Sequence, residues 1–128
     1  MSRHYKVTLA DALDAHSEAL REGGRPGIVS KGSIESAIAR PYCGYYRPIH
    51  LKAAALLHAL VKNHGFVDAN KRTALLVTLL MIERSDYRLR LQGDERIDDI
   101  VVAVADDTLD FDSLAAWFNS RLSRKVTL

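Results

Sequence analysis

The chain has 128 residues, 48% hydrophobic and 27% charged, which suits one globular domain over 1–128 and excludes a disordered or low-complexity polypeptide. A single cysteine, Cys43, excludes an internal disulfide framework and a cysteine-rich zinc site. The net charge of +2 is too small to argue for nucleic acid, and no direct nucleic-acid contact is expected.

The opening MSRHYKVTLADALDAHSEAL has no apolar segment of the kind a secretory signal needs. The longest uncharged apolar run, Thr73 to Ile82, is about half of the roughly 20 residues that cross a bilayer. A cytoplasmic protein with no membrane contact is therefore expected. Charge is unevenly spread: residues 1–72 hold 11 Lys/Arg against 6 Asp/Glu, and residues 73–128 hold 7 against 10. The basic half weakly favours an anionic ligand; a solvated face explains the same asymmetry.

In chain order, Thr8 opens a capping-box-like TLAD, and Leu9, Leu13, His16 and Leu20 recur at helical spacing. GGRPG (Gly23 to Gly27) ends that helix in a loop. Ser33 is expected to cap a short helix, IESAIAR, that stops near Arg40 because Pro41 follows. Pro41 to Pro48 form a tyrosine-rich loop. His50 to Gly65, full of Ala and Leu, predicts a strong helix. A second helix is predicted from about Ala69 to Ser85, apolar nearly all round and so buried on every side. YRLRLQGDE predicts one short strand turning at Gly93, with a small hairpin as the most β-structure expected. Ile97, Ile100, Val101 and Val104 mark another helix. Asp110 or Asp112 caps the last, with Leu114, Trp117, Phe118 and Leu122 on its core face. About six helices and at most one β-hairpin make a compact all-α bundle.

The densest polar cluster, HGFVDANKRT (His64 to Thr73), lies between the two most apolar helices. A helix that starts right after Asp68 offers free backbone N–H groups and the positive end of its dipole, which is an anion site before side chains are counted. Asn70, Lys71 and Arg72 add donors suited to a polyphosphate. Asp68 fits such a site if Mg²⁺ stands between it and the phosphates; an ordinary N-cap is the alternative. His64 can reach the same space and take a proton from an attacking hydroxyl, or can merely close a helix C-terminus. No Walker loop and no G-x-G-x-x-G is present.

HGFVDANKRT resembles the signature H-x-F-x-[D/E]-[A/G]-N-[G/K]-R of the Fic/Doc superfamily, matching at His64, Phe66, Asp68, Ala69, Asn70, Lys71 and Arg72. Gly24 to Pro41, the AAALLHALVKNH helix and LAAWF also look like its death-on-curing branch, whose members are small all-helical toxins of type II toxin–antitoxin modules. The resemblance implies the Fic/Doc fold and an enzyme acting on Mg²⁺ and ATP. Lys71 stands where AMP-transferring members carry glycine, and Leu75 where they carry a second arginine. Both departures look like the death-on-curing branch, and that resemblance implies a protein kinase that moves the γ-phosphate to a threonine of elongation factor Tu and halts translation. The resemblance then assigns His64 as general base, Asp68 to Mg²⁺, and Ala69, Asn70, Lys71 and Arg72 to phosphate. No inhibitory [S/T]-x-x-x-E-[G/N] segment occurs, so a separate antitoxin is expected to lay a blocking helix in a groove. The alternatives are AMP transfer to a protein hydroxyl and a non-catalytic binding module of the same fold.

Overall fold

Thr8 caps the start of the first helix as its sequence predicts: its hydroxyl accepts from Asp11 N at 3.1 Å while Asp11 Oδ2 accepts from Thr8 N at 3.0 Å. The computed structural model describes residues 4–126, so residues 1–3 and 127–128 of the expected domain lie outside it. Among the described residues there are six α-helices: α1 (Leu9–Ala19), α2 (Lys31–Ala39), α3 (Ile49–Asn63), α4 (Asn70–Arg84), α5 (Ile97–Ala105) and α6 (Phe111–Asn119). Two strands, β1 (Tyr87–Leu89) and β2 (Leu122–Arg124), and two 3₁₀ turns after α1 and α2 complete them. The all-α expectation holds.

The core centres on α3, which packs against α2, α4, α5 and α6. Ala53, Ala54, Ala55, Leu56, Leu57, Ala59, Leu60 and Val61 of this helix are all buried. Its alanines keep the helix thin, so neighbours approach closely and the leucines fill the gaps between them. This corrects the expectation that α4 is the helix buried on every side. Thr73, Ala74, Val77, Thr78, Met81 and Ile82 of α4 are buried, but Leu75, Leu76, Leu79 and Leu80 are only partly buried. Neighbours cover one side of α4, and an all-round apolar pattern cannot say which.

Three further expectations are corrected. Ser30, not Ser33, caps α2: Ser30 Oγ accepts from Ser33 N at 3.1 Å, so the helix begins at Lys31. Leu122 lies in β2 rather than on α6. The strand after α4 does not fold back on itself. Gly93 does turn there, at φ +57°, but β1 pairs antiparallel with β2 from the far end of the chain, Tyr87 opposite Arg124 and Leu89 opposite Leu122. The last helix is capped by Asp110, whose carboxylate accepts from Ser113 N at 2.8 Å. None of the described helices is long and apolar enough to cross a membrane.

Candidate phosphate-binding site

The HGFVDANKRT stretch forms the turn between α3 and α4. His64 ends α3 in the left-handed region, at φ 47° and ψ 52°. Gly65 follows at a point of close approach: a Cβ there would overlap Ile34 Cγ1 and stand 3.3 Å from Ile34 N. Its carbonyl accepts from Val29 N at 2.9 Å and Ser30 N at 3.1 Å. Val67 N donates to Gly27 O at 3.0 Å, so the loop before α2 lies alongside the turn as a short ribbon.

The turn is held by side chains from both sides. Phe66 is buried and its ring stacks on His16 of α1, with centroids 3.9 Å apart and 10° between planes. His16 Nε2 also lies 3.0 Å from the Asp68 carbonyl oxygen, which its N–H form donates to. Asn70 turns back on the loop: its Nδ2 donates to Phe66 O at 2.9 Å and its Oδ1 accepts from Phe66 N at 3.1 Å. Arg72 reaches the end of α1, donating from Nη1 to Ala19 O at 2.5 Å and from Nη2 to Gly23 O at 2.8 Å. Both side chains, expected on phosphate, are thus engaged in bracing the loop.

What remains open is the start of α4. Its N-cap is Ala69, at φ 63° and ψ 28°, with no side-chain cap. Thr73 Oγ1 donates to Ala69 O at 2.7 Å, which fixes this left-handed residue from the helix side. The N–H groups of Asn70, Lys71 and Arg72 have no acceptor among the described residues. A helix start left bare in this way carries a partial positive charge. Asn70, Lys71 and Arg72 line a cavity of about 340 Å³ together with His64, Val67, Asp68 and Ala69. His64 and Lys71 are exposed there.

Asp68 is not the N-cap that its place in the sequence allows. Its Oδ1 accepts from the adjacent Ala69 N at 2.8 Å and its Oδ2 from Arg25 N at 3.0 Å. The Arg25 and Ala69 N–H groups hold its carboxyl below the usual carboxylate range, assisted by the Arg72 charge, while slight desolvation opposes them. Gly24, at φ +116°, makes this approach possible, since a Cβ there would sit 3.2 Å from Asp68 Oδ2. Each oxygen has one N–H partner and keeps lone pairs for a cation. One ionised carboxylate beside an anion site is a donor set that suits Mg²⁺, which takes one or two carboxylates and completes its shell with phosphate oxygens and water. No cluster of three or more His, Cys, Asp or Glu stands among the described residues, so an all-protein metal cage is not formed by them.

The structure therefore brings His64, Asp68, Ala69, Asn70, Lys71 and Arg72 to one cavity wall. Sequence reasoning missed His16, whose helical spacing reads as plain core, and left Lys62 and Asn63 without a role. Lys62 pairs with Asp107 at 2.5 Å, and Asn63 Nδ2 donates to Ser33 O at 3.2 Å, so both fasten the end of α3.

The family model described as the Fic/DOC family matches residues 6–82. A curated protein of Mycolicibacterium smegmatis, named Toxin Doc, is 36% identical, over 83% of this chain and 85% of its own length.

Proposed function

Because the chain belongs to the Fic/DOC family, we propose that it is the toxin of a toxin–antitoxin pair and acts as a Mg-ATP-dependent protein kinase. Its acceptor is a threonine hydroxyl of elongation factor Tu. The observation that carries the reading is the bare start of α4: three N–H groups without a partner among the described residues, on residues, Lys71 among them, that line a cavity shared with an exposed histidine and an ionised carboxylate.

Phosphoryl transfer asks a protein mainly for positioning and charge stabilisation. The N–H groups of Asn70, Lys71 and Arg72 bind the phosphate oxygens, and Lys71 adds a mobile positive charge beside them. Asn70 and Arg72 act through the loop that they brace. Asp68 would hold Mg²⁺, which neutralises phosphate charge when bound. His64 accepts the proton of the threonine hydroxyl as its oxygen bonds to the γ-phosphorus and the bond to the β-bridging oxygen breaks, leaving ADP. The cognate antitoxin is a separate small protein that blocks this cavity with a helix.

Incubation of the purified protein with Mg²⁺, elongation factor Tu and ATP labelled at either the α or the γ position tests the reaction. Label on the target from the γ position alone is expected. Label from the α position would replace the kinase reading with AMP transfer.

A further inference from the structure

A second cavity, about 450 Å³, opens at the other end of α3, between the residues before α1 and the tyrosine-rich loop. Helix α3 has 15 residues, which places the two cavities roughly 20 Å apart along its axis. The wall has two chemically distinct parts. Pro41, Tyr42 and Tyr46 give it apolar and aromatic surface, while His4, Lys6, Arg47 and Lys52 give it basic groups. No carboxylate of the described residues lines it.

The basic groups are also not neutralised from outside the cavity. The ion pairs among the described residues are Arg21–Glu18, Lys62–Asp107, Arg84–Asp11, Arg96–Asp98, Arg121–Glu95 and Lys125–Glu83. Lys6, Arg47 and Lys52 take part in none of them. Lys52 Nζ instead donates to His4 Nδ1 at 2.8 Å, an ammonium whose partner is another base. Burial lowers the pKa of both, and for His4 the charges of Lys52 and Arg124 add to it. The arrangement thus places three cations without a carboxylate partner among the described residues on the wall of one hollow, where an anion would be favoured. Of the two tyrosines in the wall, Tyr42 has its hydroxyl already committed: it donates to Tyr5 O at 2.5 Å and accepts from Val7 N at 3.1 Å. Its ring is therefore held in place as wall.

We propose that this cavity is a second binding site, separate from the α4 site, for a small phosphate-bearing ligand with a ring. The phosphate lies between Lys6, Arg47 and Lys52, and the ring lies on Tyr42 and Tyr46. The volume is in the range of small-molecule sites. Nothing in this assignment depends on which group the α4 site transfers.

The test is a site-resolved NMR titration of the full chain with phenyl phosphate at constant ionic strength. Saturable shifts are expected at the amides of Gly44 to Lys52, with affinity weakened roughly tenfold in Lys52→Ala and in Arg47→Ala, the loss of one charge-assisted contact. Arg47 is exposed on a loop, so the second variant keeps the fold if the first does not. Shifts confined to Asn70 to Thr73, or undiminished in both variants, would overturn the site. Inorganic phosphate binding as tightly as phenyl phosphate would overturn the role of the ring, and linear non-saturating shifts would reduce the cavity to a diffuse ion atmosphere.

Discussion

His64 and His16 stand on opposite faces of one loop and have different tasks. His64 is exposed at the cavity, whereas His16 is buried, its ring stacked on Phe66 and its Nε2 against the Asp68 carbonyl. His64→Ala should lower the rate of target labelling by roughly 10²–10⁴-fold while leaving thermal stability nearly unchanged. His16→Ala should instead weaken Mg-ATP binding and lower the melting temperature, because it removes the stack on Phe66 and the donor to Asp68 O. A target-labelling time course checks the first, and a melting curve with an ATP titration checks the second; a His16→Ala protein with unaltered stability would contradict the bracing role. Thr78 offers a cleaner stability test. Its hydroxyl is buried without a partner among the described residues, so Thr78→Val should be neutral or raise the melting temperature. At this scale the sequence was legible where the chemistry is contiguous. His64, Asp68 and Lys71 fall within eight residues. His16 lies 52 residues from Asp68, and no local pattern announces a contact that only the fold creates.

At the scale of elements, the candidate site is open because α4 starts without a side-chain cap. An Asp, Ser or Thr side chain over the first turn would satisfy the N–H groups that a phosphate is proposed to use. Asp68 is turned away from that role by its contacts with Ala69 N and Arg25 N. The cap of α2 was misplaced for a related reason: Ser30 and Ser33 are three residues apart, each a competent cap, and only the hydrogen bond between them decides which is inside the helix. Gly65 ties the elements together. Gly65→Ala should push α2 away from the turn through Ile34 and cost stability by about 1–3 kcal/mol, as overpacking does; thermal or denaturant unfolding reads this directly, and an unperturbed variant would show that the turn yields easily.

For the whole molecule, the sequence carried the helix count and the all-α class but not the pairing of β1 with β2. Three-residue strands are too short for their partner to be chosen by pattern, and the closure joins Tyr87 to Arg124 across most of the second half of the chain. The same scale governs pH. Partner hydrogen bonds hold Glu95 (from Arg121), Asp107 (from Lys62), Asp110 (from Ser113 N) and Asp68 (from Arg25 N) below their ordinary values. A depressed carboxyl stabilises the fold above its unfolded pKa and loses that contribution as pH falls through the folded one. Burial lowers His4, His50 and His58, so they also favour the fold while neutral and oppose it as they are forced to charge. Melting temperature should therefore fall in two stages on acidification, from about pH 6.5 for the histidines and below about 4 for the carboxyls. A melting temperature that is flat or rises between pH 7 and pH 3 would contradict this.

The proposed activity rests on phosphate lying against the first turn of α4, and the amide resonances of Asn70, Lys71 and Arg72 report that turn directly. Titrating the protein with ATP in the presence of Mg²⁺ should shift these three amides, with the magnesium dependence of the shifts lost in Asp68→Asn. Saturation with Mg-ATP that leaves all three amides unmoved would contradict the account.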